Sequence, residues 1–127
     1  MTLEMNYLAM YGLMIVLLIL MQVLISASQH GLVPLLGNRE NLNSTGIAHR
    51  AERAVQNSLV AMALIAPSIL MLAITNVTTS GTVLAVQIFL TARILYAICF
   101  ILGITYLRTL AWVTGFVATA YLYLGLL

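Results

Sequence analysis

Eight residues carry a formal charge: Glu4, Arg39, Glu40, Arg50, Glu52, Arg53, Arg93 and Arg108. Their placement leaves four long stretches almost free of charge, at about Asn6–Ala27, Ala54–Ile74, Thr82–Leu102 and Leu107–Leu126. A helix needs about 20 consecutive apolar residues to cross the hydrocarbon layer of a bilayer. Inside that layer every backbone amide must find its partner within the protein, so an apolar run of this length is a helix. The chain is 63% hydrophobic and 6% charged, whereas a soluble domain carries roughly a quarter charged residues. One soluble core could not bury this much apolar surface, and the length allows only one domain, residues 1–127.

The first stretch ends in Ser26-Ala27-Ser28, which looks like a signal-peptide cleavage site. The residues before it include Glu4 and no cation, and the apolar run exceeds a signal peptide's central region, so it reads as a retained span. A long connection runs from His30 to His49, with Pro34, Gly37, Asn38, Asn41, Asn43 and Gly46. The other two are short, at Asn76–Gly81 and around Gly103-Ile104-Thr105-Tyr106. Short connections make antiparallel neighbours, which predicts an all-α, up-and-down four-helix membrane bundle. Arg39, Arg50, Arg53 and Arg108 fall on the first and third connections and none on the second. By the positive-inside bias, those two connections face the cytoplasm and both termini lie outside, as in a multi-pass protein of a bacterial inner membrane.

The small net charge of +2 is scattered and does not suit nucleic-acid binding. The single Cys99, within an apolar run, excludes a disulfide framework. His30 and His49 have no companion cysteine or acidic cluster, so no metal is expected.

An ionisable group at membrane depth is costly and marks a site by default. Arg50, Arg53, Asn57 and Val60 recur every three or four residues and share one helical stripe. Arg93 stands in mid-span, with Phe89, Tyr96 and Phe100 on its stripe, and Arg108 opens the last span. Arg53 and Arg108, near helix ends, could instead reach the headgroups along their own stems. Arg93 is too deep for that. Guanidinium forks beside an amide and a phenol suit a ligand with carboxylates. Gln22, Ser26 and Gln29 make a polar stripe on the first span, suited to joining helices or lining the same cavity.

The run Arg50-Ala51-Glu52-Arg53-Ala54-Val55-Gln56-Asn57 resembles the signature of the MAPEG superfamily, the membrane-associated proteins in eicosanoid and glutathione metabolism. The resemblance continues in Ala92-Arg93-Ile94-Leu95-Tyr96 and in Tyr106-Leu107-Arg108-Thr109-Leu110-Ala111-Trp112, and Asn38-Arg39-Glu40 is similar to the bacterial branch. It implies a homotrimer that binds glutathione between protomers near the cytoplasmic side and joins it to hydrophobic electrophiles, as a transferase or peroxidase. It further implies that Arg50, Arg53, Asn57, Arg93 and Tyr96 bind glutathione, and that Arg108 is catalytic by favouring the thiolate. Val60 stands where many members have glutamate, and Phe100 where many have a second tyrosine. That removes the anionic side of the stripe and one phenol. The alternative on the same scaffold is a non-catalytic lipid-binding protein, like the lipoxygenase-activating member of the superfamily. In either case the expected partners are further copies of the chain and a membrane lipid or lipophilic substrate.

Overall fold

The structure is a computed structural model that describes residues 2–31 and 46–127. Arg39, Glu40 and the asparagines of the first connection lie outside the described residues. The described chain forms four helices: α1 (Leu3–His30), α2 (Gly46–Ile74), α3 (Ser80–Leu102) and α4 (Thr105–Leu126). Each is long and apolar enough to cross a membrane. The predicted all-α membrane bundle is the observed fold.

The helix ends lie where the side chains satisfy them. The Thr2 hydroxyl accepts from the Met5 amide at 3.2 Å and caps α1. Thr79 and Thr82 form a reciprocal capping box at the start of α3, which satisfies two of the amides a helix start leaves open. Between α2 and α3, Asn76 takes a left-handed φ of 57°, and the Val77 amide donates back to the Leu72 carbonyl at 2.9 Å. Between α3 and α4, Gly103 adopts φ 81°, and the Ile104 amide donates to the Cys99 carbonyl at 2.9 Å. A side chain at either left-handed position meets steric cost, which asparagine bears best and glycine avoids.

Helix α2 starts eight residues before its expected apolar stretch, so Arg50, Glu52 and Arg53 are helical rather than part of a loop. The apolar count misses this turn because charge, not helix propensity, ends the count. Pro67 sits inside α2 and cannot donate to the carbonyl one turn back. Nearby, the Tyr123 hydroxyl donates to the Leu64 carbonyl and Ser68 donates to the Ile65 carbonyl at 2.6 Å.

Among the described residues, α4 packs on α3 and α2 and does not reach α1, while α1 packs on α2 and α3. The main core fills the half nearest the termini, with Tyr11, Ile65, Leu72, Val86, Phe89 and Leu122 buried together. The Tyr11 and Phe89 rings meet edge to face at 5.0 Å. Elsewhere the seams are made of small residues: Ala48, Ala51, Ala54 and Ser58 on α2, and Ala111, Gly115 and Ala118 on α4. Lipid supplies no hydrophobic drive between helices, so close backbone approach must supply contact instead. The outward faces carry Leu13, Val16, Leu20, Leu24, Val113 and Val117, a surface for which hydrocarbon is the natural solvent.

Near the termini, Glu4 is 1% exposed. Its carboxylate accepts from the Thr82 hydroxyl at 2.8 Å, with Thr78 more distant at 3.5 Å. It stands at the amino end of α3, where the helix dipole favours an anion. One turn along, the Gln87 amide donates to the Tyr7 hydroxyl at 2.9 Å. These contacts tie α1 to α3.

Candidate functional site

Arg93 is 2% exposed in the middle of α3. Its Nη2 donates to Ser58 Oγ of α2 at 3.3 Å, and its guanidinium lies 4.2 Å over the Tyr96 ring. Nε has no acceptor. On the neighbouring helix, Asn57 Oδ1 is buried and has no donor. Both residues line one cavity of about 170 Å³ between α2 and α4. A buried donor or acceptor without a partner costs about 1–3 kcal/mol, more when the group is charged. One small space is therefore lined by two residues that each keep a buried polar atom unpartnered among the described residues.

The rest of that cavity is apolar. Val60, Leu64, Trp112 and Phe116 form its walls, with Thr119 and Gly115 from α4. Val60 is 59% exposed, and Leu64, Trp112 and Phe116 are exposed too, so the mouth opens sideways toward lipid. The Trp112 and Phe116 rings stack at 5.4 Å. Gly115 stands against the Arg93 stem: a Cβ there would lie in van der Waals contact with Arg93 Cδ, at 3.4 Å. A larger groove of about 500 Å³ runs between α3 and α4 past Leu84, Ile88, Val113 and Tyr121. It offers no charged group, and as an outward furrow it suits an acyl chain of the surrounding bilayer.

From Arg93 a ladder of rings leads to the helix ends. Tyr96 meets Phe100 at 5.6 Å, and the Arg108 guanidinium lies 4.8 Å over the Phe100 ring. Cation–π contacts of this kind contribute about 0.5–2 kcal/mol, most when water is absent. Phe100 thus serves Arg108 with its face. The charges of Arg93, Arg108 and Arg53 all reach the Tyr96 phenol. Arg53 is exposed, one turn from Asn57.

Of the residues singled out in the sequence, Asn57 and Arg93 share the cavity, while Tyr96 and Arg108 flank it through the ladder. Arg50 is engaged elsewhere. Its Nε donates to the Ile101 carbonyl at 2.9 Å, and its stem lies beside Gly103. A helix leaves its last carbonyls open, and a cation there also suits the dipole. Arg50 therefore closes the end of α3. Arg50→Ala is expected to lower stability by about 1.5–3 kcal/mol, the usual contribution of a hydrogen bond to a charged group, and to leave ligand affinity within twofold. Denaturation and titration of the same sample would check both, and a large affinity loss at wild-type stability would return Arg50 to the site. Gln22 bonds to Ser26 within α1 at 3.1 Å, so that pair serves its own helix and lines no part of the cavity.

Sequence reasoning missed Ser58, Tyr11 and the α4 wall. The wall had a signal, since Arg108, Trp112, Gly115 and Thr119 recur at three and four residues and share one face of α4. Ser58 and Tyr11 had none, because a lone serine or tyrosine in an apolar run does not reveal its partner.

The MAPEG family model matches residues 7–127. No curated protein and no solved structure matches the chain. The family match covers nearly the whole described bundle and all the residues that form the cavity and the ring ladder. The chain is an integral membrane protein that belongs to the MAPEG family.

Proposed function

We propose that this protein binds glutathione at the Asn57–Arg93 cavity and presents its thiol to a lipophilic electrophile, as a membrane transferase or peroxidase. The observation that carries the reading is that Arg93 and Asn57, each with a buried polar atom unpartnered among the described residues, line one cavity. A ligand that satisfies both must accept from the first and donate to the second. Glutathione carries carboxylates for the guanidinium and an ammonium and amides for the oxygen. Among the residues that line the cavity only Asn57 and Arg93 offer an amide or a cation and most of the others are apolar, so the cavity suits one polar end of the tripeptide. The remainder would extend toward Arg53 and Arg108, with a neighbouring protomer of a homotrimer closing the site. Arg108 would then favour the thiolate, since a cation near sulfur lowers a thiol's pKa. The arginine bias puts this end of the bundle in the cytoplasm.

A second reading is favoured by the sideways mouth. Val60, Leu64, Trp112 and Phe116 would admit an amphiphile from the bilayer more readily than a charged tripeptide. A protein that only holds such a lipid would need no thiol at all.

Trp112 is the chain's one tryptophan and lines the cavity, so its emission reports occupancy. Glutathione added to the protein in nanodiscs is expected to change that emission saturably, and Gly115→Leu, which fills the cavity, is expected to abolish the change. Silence up to millimolar glutathione, with a saturable response to oleate, would replace the first reading by the second. Native mass in nanodiscs tests the trimer. External thiol labelling of Thr78→Cys in a Cys99→Ala background tests the orientation, and protection of position 78 would reverse it.

A further inference from the structure

All four helices converge on Arg93, and one does so without touching the cavity. Arg93 itself stands on α3, Ser58 of α2 accepts from its Nη2 at 3.3 Å, and Gly115 of α4 stands against its stem. The fourth helix arrives through Tyr11 of α1, which is 1% exposed. The Tyr11 hydroxyl donates to the Ser58 carbonyl oxygen at 2.8 Å, and its phenol also lies within electrostatic reach of Arg93. Ser58 is thus held on both sides, its carbonyl by Tyr11 and its hydroxyl by Arg93.

An arginine head is long and mobile, and ordering it opposes binding unless the protein has already done so. A hydroxyl on one nitrogen and a ring beneath the plane restrain the head, and they leave Nε without an acceptor. We infer that Tyr11 and Ser58 are positioning residues, which together hold the Arg93 guanidinium by its Nη2 side and so set its orientation where Arg93 lines the cavity. Neither lines the cavity, and neither would touch the ligand. The inference rests on the binding role proposed for the cavity. It gives α1 a part in that role although α1 supplies no cavity wall.

A residue that only packs would alter stability and leave the guanidinium unmoved, so the test reads Arg93 directly. The full chain is labelled with ¹⁵N-arginine in nanodiscs, and the Nε–H resonance of Arg93 is assigned by its loss in Arg93→Lys. In the wild type this resonance is expected to be well dispersed and slow to exchange with water. Ser58→Ala and Tyr11→Phe are expected to shift it and to speed its exchange at least tenfold, while Ser58→Thr, which keeps the hydroxyl, restores the wild-type signal. In the same samples, glutathione affinity read from Trp112 emission is expected to fall roughly tenfold in Ser58→Ala, which removes a hydrogen bond to a charged group, and by a smaller factor in Tyr11→Phe, which removes the bond to the Ser58 carbonyl. A wild type that binds glutathione, with the resonance and the affinity unchanged in both variants, overturns the positioning role alone. A wild type blind to glutathione overturns the binding role and, with it, the purpose assigned to the two residues.

Discussion

Arg93→Met is expected to abolish glutathione binding while leaving the protein as stable as the wild type or more so. Holding a cation out of water costs several kcal/mol even after the protein relaxes around it. Against that, Arg93 gains one hydrogen bond, to Ser58, and one ring face, from Tyr96. Those contribute about 1.5–3 kcal/mol and up to about 2 kcal/mol. The sum is near zero, so stability gives no reason to keep an arginine there. Methionine is similar in length and flexible enough to fill the space. Ser58 would turn its hydroxyl to a carbonyl of its own helix. Binding behaves otherwise, because the ligand loses the one cationic donor that lines the cavity among the described residues, and affinity should drop at least tenfold to a hundredfold. Thermal unfolding in nanodiscs beside the Trp112 titration would measure both. A stability loss beyond about 2 kcal/mol with binding retained would make Arg93 a structural residue, since that pattern belongs to core damage.

The second large effect is expected at the other end of the bundle. Glu4→Ala should destabilise the protein by about 1.5–3 kcal/mol through the lost charge-assisted bond to Thr82. The Thr82 hydroxyl would keep only the Thr79 carbonyl at 2.9 Å as its acceptor, and the amino end of α3 would lose its anion. Glu4→Gln, which keeps an acceptor oxygen and drops the charge, should fall between alanine and wild type. Affinity for glutathione should stay within twofold in both, because Thr82 and Arg93 are eleven residues apart on α3, or roughly 16 Å at the helical rise. Wild-type stability in Glu4→Ala would show that the buried carboxylate contributes nothing net. A fall in affinity would show that the α1–α3 tie reaches the cavity.

Glu4 also shows where reading a sequence stops. In the sequence it served only to argue against a signal peptide, since one acid near a chain start says nothing about what it will face. Its partner is Thr82, 78 residues away, and only the packing of α1 on α3 brings the two together. Tyr11 and Ser58, 47 residues apart, are the same case. Arg50 is the converse. It shares a stripe with Arg53 and Asn57, and periodicity alone puts all three in one site. The stripe is long, however, and the end of α3 reaches its first turn, where the Ile101 carbonyl accepts from Arg50 Nε.

The sequence by itself determined that this chain is a bundle of four membrane helices and that Arg93 must have a purpose. Both follow from solvation: hydrocarbon admits a backbone only as a closed hydrogen-bonded helix, and it admits a cation only at a cost that something must offset. The residues in the third stretch and their spacing also put Tyr96 beneath Arg93, since one helical turn is a local property. What only the tertiary structure decided is which polar groups remain open. Whether Asn57 Oδ1 and Arg93 Nε find partners depends on atoms from three helices meeting within about 3 Å, the range of a hydrogen bond. Helix periodicity places a residue on a face and leaves the rotation, tilt and spacing of its neighbours free. Those were set by the small residues of the seams, among them Gly115, where α4 meets Phe89, Ala92 and Arg93 of α3 beside the cavity.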